Sequence, residues 1–412
     1  MNDRPGEFET AVVRAERLVA SGAALSRRSD GRIVLVDDAL PGELVEVTIG
    51  ARHGADRGTV VQIIERSGDR ITPTCPHVAD GCGGCDLATL EHAAQGHAKV
   101  AMVTDALRRL GRWTDPVVRE GPPLDPWGFR TTLRLAVTNG RAGLRRASSN
   151  AIVELDHCAV AHPLLDELVA DGTFGDATEV TLRVGAATGA RLAVITPNRD
   201  GIRLPDDVRV VGTDELAAGK RAWIHEIVAD RRWRISADSF FQTRPDGAAA
   251  LVDVVTAMAA DALDVPPRSD GRLLTLLDTY SGVGLFAGSL LGGRDGWRAV
   301  TVESSRSAAA DARVNLSDLE ARMVTSTVER LRPPRADVVV ADPSRAGLGR
   351  GGAAVLAATG APRIVLVSCD PASAGRDLAL LAARGYDPVE AVVIDLFPHT
   401  HHSEVVTRFD RR

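Results

Sequence analysis

Five cysteines, Cys75, Cys82, Cys85, Cys158 and Cys369, are the residues of this chain whose type and spacing speak first of chemistry. Three fall in Cys75-Pro-His-Val-Ala-Asp-Gly-Cys82-Gly-Gly-Cys85. Two thiolates separated by two residues can turn onto one centre, and Gly83-Gly84 gives the backbone freedom to make that turn. With Cys158 as a distant fourth ligand the set suits tetrahedral zinc or an iron–sulfur cluster, and spacing alone does not separate them. It is wider than the spacing of radical-initiating clusters. Cys369 is left over in a different setting, where an unpaired thiol is a candidate nucleophile.

These groups need a scaffold. From about residue 235 strands and helices alternate, the pattern of parallel βαβ units. Strands are predicted over 273–277, 299–302, 337–341 and 363–368. They run in turn into Asp278, Glu303, Asp342 and Cys369, so the four polar groups meet at the carboxyl edge of one sheet, where open α/β folds bind ligands. The first turn, Asp278-Thr-Tyr280-Ser-Gly282-Val-Gly284, opens a helix with glycines that permit close backbone approach. Glu303 ends the next strand, where a carboxylate takes two ribose hydroxyls. Ala287 stands where the dinucleotide fingerprint has its third glycine, and Gly288 follows one residue late. The departure points away from a dinucleotide and toward S-adenosylmethionine, which has no pyrophosphate to cradle.

Upstream, residues 11–13, 32–36, 44–47 and 59–64 are short apolar runs between Gly, Pro and Asp turns, the pattern of a small antiparallel barrel. Residues 91–110 are helical by pattern, and 130–196 is again strand-rich. The chain thus divides into a barrel (1–68), a central segment with the cysteines (69–234), whose helix 91–110 packs on the last part, and an α/β domain (235–412). The 412 residues carry 49 basic and 55 acidic side chains, a net charge of −6, so bulk charge names no nucleic-acid partner. Lys99 and Lys220 are the only lysines. Between Arg108 and Arg146, nine arginines stand against Asp115, Glu120 and Asp125, a net of +6. An RNA or DNA backbone suits such a face, and so does plain solvation. No apolar run approaches the ~18 residues of a membrane span, and an N-terminus with Asp3, Glu7 and Glu9 lacks the layout of a signal peptide. The expected setting is the cytoplasm, away from membranes, where a disulfide framework is out of place.

Five further stretches complete a pattern: Ala39-Leu-Pro-Gly-Glu-Leu-Val-Glu-Val, Asp238-Ser-Phe-Phe-Gln242, Asp342-Pro-Ser-Arg-Ala-Gly-Leu, Ser368-Cys369-Asp-Pro and Phe397-Pro-His-Thr-His-His-Ser-Glu404-Val-Val. In these motifs and their order the chain resembles the S-adenosylmethionine-dependent RNA (uracil-5-)methyltransferases that carry an N-terminal TRAM domain. Those enzymes act on 23S ribosomal RNA or transfer RNA, and the resemblance covers nearly the whole chain. It implies an α/β fold: a Rossmann-like class I methyltransferase domain, an OB-like TRAM β-barrel and a central α+β iron–sulfur domain. It also implies that Cys75, Cys82, Cys85 and Cys158 hold a [4Fe–4S] cluster in preference to zinc. Gln242, Asp278, Tyr280, Gly282, Gly284, Glu303 and Asp342 become the cofactor residues, with Gln242 at the methionine part. Cys369 becomes the nucleophile and Glu404 the general base. The implied partner is RNA, ribosomal in preference to transfer RNA, and the implied state a monomer. Three positions depart from the family: Ser344 replaces a proline, Arg244 an asparagine, and six residues rather than five separate Cys75 from Cys82.

The implied chemistry has its own logic. Carbon 5 of uracil is too poor a nucleophile to attack a methyl sulfonium, so a thiolate must first add to carbon 6. Cys369 at a strand end near a helix N-terminus is expected to have a lowered pKa for this. A base must then take the carbon-5 proton, and Glu404, desolvated between Phe397 and Val405, is expected to have a raised pKa suited to it. Phe240 and Phe241 read as core. His399, His401 and His402 read as alternating on a strand, which sets them on opposite faces and argues against a shared metal. The competing function is an S-adenosylmethionine-dependent methyltransferase acting on a non-RNA acceptor.

Overall fold

The computed structural model describes residues 9–50 and 55–412, so Asp3 and Glu7 lie outside the described residues. Glu9–Leu18, Ala24–Arg27, Ile33–Asp37, Leu44–Gly50 and Asp56–Glu65 form a closed five-stranded barrel. In Leu44–Gly50, Val45, Val47 and Ile49 are buried while their neighbours are not, the period-two burial that a closed sheet imposes. Ala24–Arg27 was not among the expected strands: it is four residues long, and its first three are all buried, so it shows no alternation. Glu43 is fully buried, and Arg70 donates to both its oxygens, at 2.6 and 2.8 Å, beside the Leu40 and Ser67 amides. Leu87, Leu90 and Met102 join the barrel's apolar cluster, so the cysteine loop and the helix after it seal the barrel.

A six-stranded sheet follows, in the order Val208–Gly212, Arg191–Thr196, Glu179–Val184, Thr132–Thr138, Arg141–Arg145, Ile152–Glu154. Helix Pro163–Asp171 buries Leu165, Leu168 and Val169 against Leu133, Leu135, Val180 and Leu182.

The third sheet has eight strands: Ala321–Thr325, Trp297–Glu303, Leu274–Thr279, Val338–Ala341, Arg363–Ser368, Glu404–Arg411, Tyr386–Ile394 and Val118–Glu120. The first five are parallel, and Glu404–Arg411 inserts antiparallel beside Arg363–Ser368. Leu274–Thr279, Val338–Ala341 and Arg363–Ser368 are buried along their whole length, as strands covered on both faces must be. Helices Pro245–Leu263, Leu285–Leu291 and Arg306–Asn315 share one apolar cluster, and His92–Arg109, Gly349–Ala358 and Pro371–Ala382 share the other. His92–Arg109 faces two cores, placing Met102 in the barrel cluster and Val103 and Leu107 in the sheet cluster. The first strand runs through Asp278 to Thr279, two residues past its expected end. Val118–Glu120 joins this sheet from the central segment, pairing with Tyr386–Ile394; three residues give too little period to read from sequence.

The arginines between 108 and 146 are spread over several elements. Arg119 pairs with Glu390, Arg134 with Glu179, Arg141 donates to the Ala170 and Gly172 carbonyls, and Arg130 lines the cysteine pocket. Arg108 and Arg109 end a helix, Arg119 lies on an edge strand of the eight-stranded sheet, and Arg134, Arg141 and Arg145 lie on a hairpin of the six-stranded sheet. Among the described residues, no helix is long and apolar enough to cross a membrane.

Candidate active site

The parallel register carries Asp278, Glu303, Asp342 and Cys369 to one edge of the eight-stranded sheet. Ser368 pairs with Val405 across the antiparallel ladder, and Val405 in turn with Val393, so the next rung sets Cys369 beside Glu404. Glu404 is 2 % exposed. Burial, then the nearby Asp342, raises its carboxyl well above the ordinary range, and Arg345 opposes this. Asp342 is pushed up to about 7 by burial. The two carboxyls face one desolvated space, where ionising both is costly.

Cys369 departs from expectation. Burial, Glu404 and Asp342 push its thiol up to about 12, while Arg345 pulls it down. The helix it precedes is already capped, because Asp370 accepts the Ser373 amide at 2.7 Å. Proximity to that helix therefore does not outweigh two carboxyls and the loss of water.

The 278–284 turn is built around orphaned polar atoms. Asp278 is fully buried, with one oxygen accepting the Ala287 amide at 2.9 Å and the other without a partner. Burial, then Asp342 and Glu303, pushes it up to about 7. Tyr280 Oη and Ser281 Oγ are also buried and unpartnered, and Tyr280 is held at φ 59°. Gly284 has φ 93°, and a Cβ there would meet Leu316 at 2.9 Å, so glycine is required; a Cβ on Gly282 would face open space. Glu303 accepts the Gly282 amide at 2.9 Å and the Ser305 amide at 2.6 Å, tying the turn to the next strand. Gln242 is buried in the loop before Pro245–Leu263. Phe241 beside it is core at 8 % exposure, but Phe240 is 66 % exposed, correcting the reading of both as core.

An uncharacterized RNA methyltransferase of Streptomyces avermitilis is 35 % identical over 423 residues, covering 93 % of this chain and 94 % of the relative. Another, from Streptomyces coelicolor, is 37 % identical over 421 residues, covering 93 % and 89 %. This chain belongs to the RNA methyltransferase family. No protein-family model matches it. Its fold is similar to the crystal structure of the Pyrococcus abyssi tRNA (uracil-54, C5)-methyltransferase in complex with S-adenosyl-L-homocysteine, with TM-score 0.71, 22 % identity, and 97 % and 99 % of the two chains covered.

In this RNA methyltransferase Cys75, Cys82, Cys85 and Cys158 line one pocket with Arg130, and all are free thiols. Burial, and then the proximity of the other cysteines, pushes Cys85 up to about 12; burial pushes Cys158 up to about 11. A Cβ on Gly83 would meet Arg145 O and Ala147 N at 3.0 Å, so the glycine lets the loop lie against the neighbouring backbone. Among the described residues, no group of three or more His, Cys, Asp or Glu side chains is gathered closely enough to hold a metal ion.

The histidines of the 397–404 segment lie in a loop, not on a strand, and each has a partner of its own. His399 stacks on Trp127 at 4.1 Å and its amide donates to Gln95 Oε1 at 2.7 Å; His401 meets Asp86 at 2.5 Å; Arg345 donates to His402 at 3.2 Å. Lys99, fully buried, pairs with Asp395 at 2.6 Å and donates to the Phe397 carbonyl at 2.9 Å. Sequence reading passed over Lys99 and Arg345 as site residues. A lysine on an apolar helix, in a chain that otherwise uses arginine, was the available signal. Arg244 is likewise structural: it pairs with Asp246 at 2.6 Å, donates to the Asp125 carbonyl and lies 4.4 Å over Phe129.

Proposed function

We propose that this RNA methyltransferase transfers a methyl group from S-adenosylmethionine to carbon 5 of a uridine, through a covalent bond between Cys369 and carbon 6. The observation that carries the reading is the placement of a thiol and a buried, proton-avid carboxyl on adjacent strands at the ligand-binding edge of the sheet. The unpartnered Asp278, Tyr280 and Ser281 atoms and the open face of Gly282 fit a bound nucleoside, which Gln242, Gly284 and Glu303 would help to hold. S-adenosylmethionine, when bound, supplies an electrophilic methyl carbon. Cys369, as the thiolate once its proton has left to solvent, would add to carbon 6 and place the electron pair on carbon 5, which takes the methyl group as the methyl–sulfur bond breaks and leaves a neutral thioether. Glu404 then removes the carbon-5 proton, and the re-formed double bond expels the thiolate. Asp342 hydrogen-bonds the uracil edge or the cofactor amine.

We also propose that Cys75, Cys82, Cys85 and Cys158 hold a [4Fe–4S] cluster. The pocket that the four cysteines share supports it. Such a cluster would supply cross-linking of the cysteine loop to the central sheet, and metal binding would supply the deprotonation that burial opposes. Purified protein should be brown with broad visible absorption; colourless, zinc-loaded protein would reject the cluster.

The target proposed is 23S ribosomal RNA, with the enzyme a cytoplasmic monomer. Similarity to the Pyrococcus abyssi enzyme supports transfer RNA as the second reading. Nucleoside mass spectrometry for 5-methyluridine, on 23S ribosomal and transfer RNA from cells with and without the gene, tests all of this. Loss from ribosomal RNA is expected, loss from transfer RNA replaces the target, and no change in either rejects uridine.

A further inference from the structure

Beside the proposed catalytic loop lies a groove with no role in the chemistry above. Residues 110–112, the start of helix Gly349–Ala358 and helix Pro371–Ala382 border an open groove of about 640 Å³. Arg112, Arg350 and Arg376 line it, and all three are exposed. Among the described residues none of the three forms an ion pair, whereas Arg109, Arg119 and Arg363 on neighbouring elements each do. Asp377 also lines the groove, but its two oxygens are committed to the Leu348 and Gly349 amides at 2.7 and 3.1 Å. Ala346, Ala379 and Ala383 leave the floor wide. Two chain segments lead from the site into this groove, one from Asp342 to Gly349 and the other from Cys369 to Arg376. Arg376 follows Pro371, the first residue of its helix, by five positions, about 7.5 Å along the axis at 1.5 Å per residue. That is roughly the span of one or two nucleotides.

We infer that this groove binds the RNA backbone next to the target nucleotide, its three guanidinium groups taking successive phosphates of a single strand. The inference rests on the reading of the Cys369 edge as an RNA-modifying site. Three unpaired cations converging on one cavity give charge complementarity to a polyanion, and continuity with the site gives the strand its path.

The test is binding of a short uridine-containing single-stranded RNA to wild type and to the R112Q/R350Q/R376Q variant over a range of potassium chloride, with S-adenosylhomocysteine affinity measured in parallel. Losing three contacts at a slope of about 0.7 each should lower the salt dependence by about 2 and the affinity about fiftyfold near 0.15 M salt. S-adenosylhomocysteine affinity should stay at the wild-type value. Should the triple variant lose that too, the single variants decide, each expected to weaken RNA about fourfold. An unchanged salt slope in triple or single variants overturns the inference. A wild type that binds RNA with the full slope yet forms no methyluridine would sink the uridine chemistry and leave the groove standing.

Discussion

Arg345 is the cation set against the burial and the two carboxyls that oppose a thiolate at Cys369. Replacing it should therefore raise the thiol further and reduce the thiolate present near neutrality. Arg345→Met is expected to slow alkylation of Cys369 several-fold at pH 8, read by peptide mass spectrometry so that the other four cysteines serve as internal controls. Equal rates in the two proteins would remove Arg345 from the account. Asp278 makes a second case. Its carboxyl is pushed up to about 7 from an ordinary 3.8, so the folded state favours the protonated form. The contribution of that group to stability is complete below about pH 4 and is lost as pH rises to about 7, where an ionised, half-satisfied carboxylate costs about 4 kcal/mol at most. Asp278→Asn keeps an acceptor for the Ala287 amide and cannot ionise. It should raise Tm at pH 8, leave it nearly unchanged at pH 4 and weaken S-adenosylhomocysteine binding. A Tm difference of equal size at both pH values would show that the burial of this charge is not what matters.

At the level of elements, the loop that presents Glu404 is fixed from outside its own sheet. Helix His92–Arg109 supplies Lys99 to Asp395 and to the Phe397 carbonyl, and Gln95 to the His399 amide. Lys99→Met leaves Asp395 without its partner, and breaking a buried pair of this kind costs about 3 kcal/mol. Denaturant unfolding should show that loss, and kcat for methyl transfer should fall with it. Lys99→Met/Asp395→Leu should recover most of the stability without the activity; recovery of both would mean that the pair serves folding alone. The elements that set the site edge were legible in sequence because buried parallel strands read as unbroken apolar runs and each ends on a polar group. The helix over 91–110 was legible from its period. What could not be read was anything that depends on partners distant in sequence: the short edge strand Val118–Glu120, the partners of Arg119 and Arg134, the exposure of Phe240 and the carboxyls that raise Cys369. The raised Glu404 carboxyl was anticipated from burial, its first cause, while the second, Asp342, is distant in sequence.

The molecule as a whole ties the cysteine loop to the chemistry by a short path. Leu87 and Leu90 of that loop sit in the barrel core, the Leu87 amide donates to the His399 carbonyl at 2.8 Å, and Asp86, next to Cys85, holds His401 through both its ring nitrogen and its amide. The turn proposed to hold the cofactor is anchored elsewhere, by Glu303 to the Gly282 amide within its own sheet. Disturbing the loop should therefore misplace Glu404 while sparing the cofactor. A charge-assisted hydrogen bond such as Asp86–His401 contributes about 1.5–3 kcal/mol, and if Glu404 is the base, as proposed, misaligning it should lower turnover about tenfold or more. Cys85→Ser, or removal of the iron proposed to be held there, is expected to cut turnover by that factor and to leave S-adenosylhomocysteine affinity within about twofold of wild type. Asp86→Asn, which leaves every thiol in place, should reproduce the loss. If Asp86→Asn turns over normally while Cys85→Ser does not, the loop acts on RNA docking and not on the base. If cofactor affinity falls in step with turnover, the loop does no more than hold the fold together.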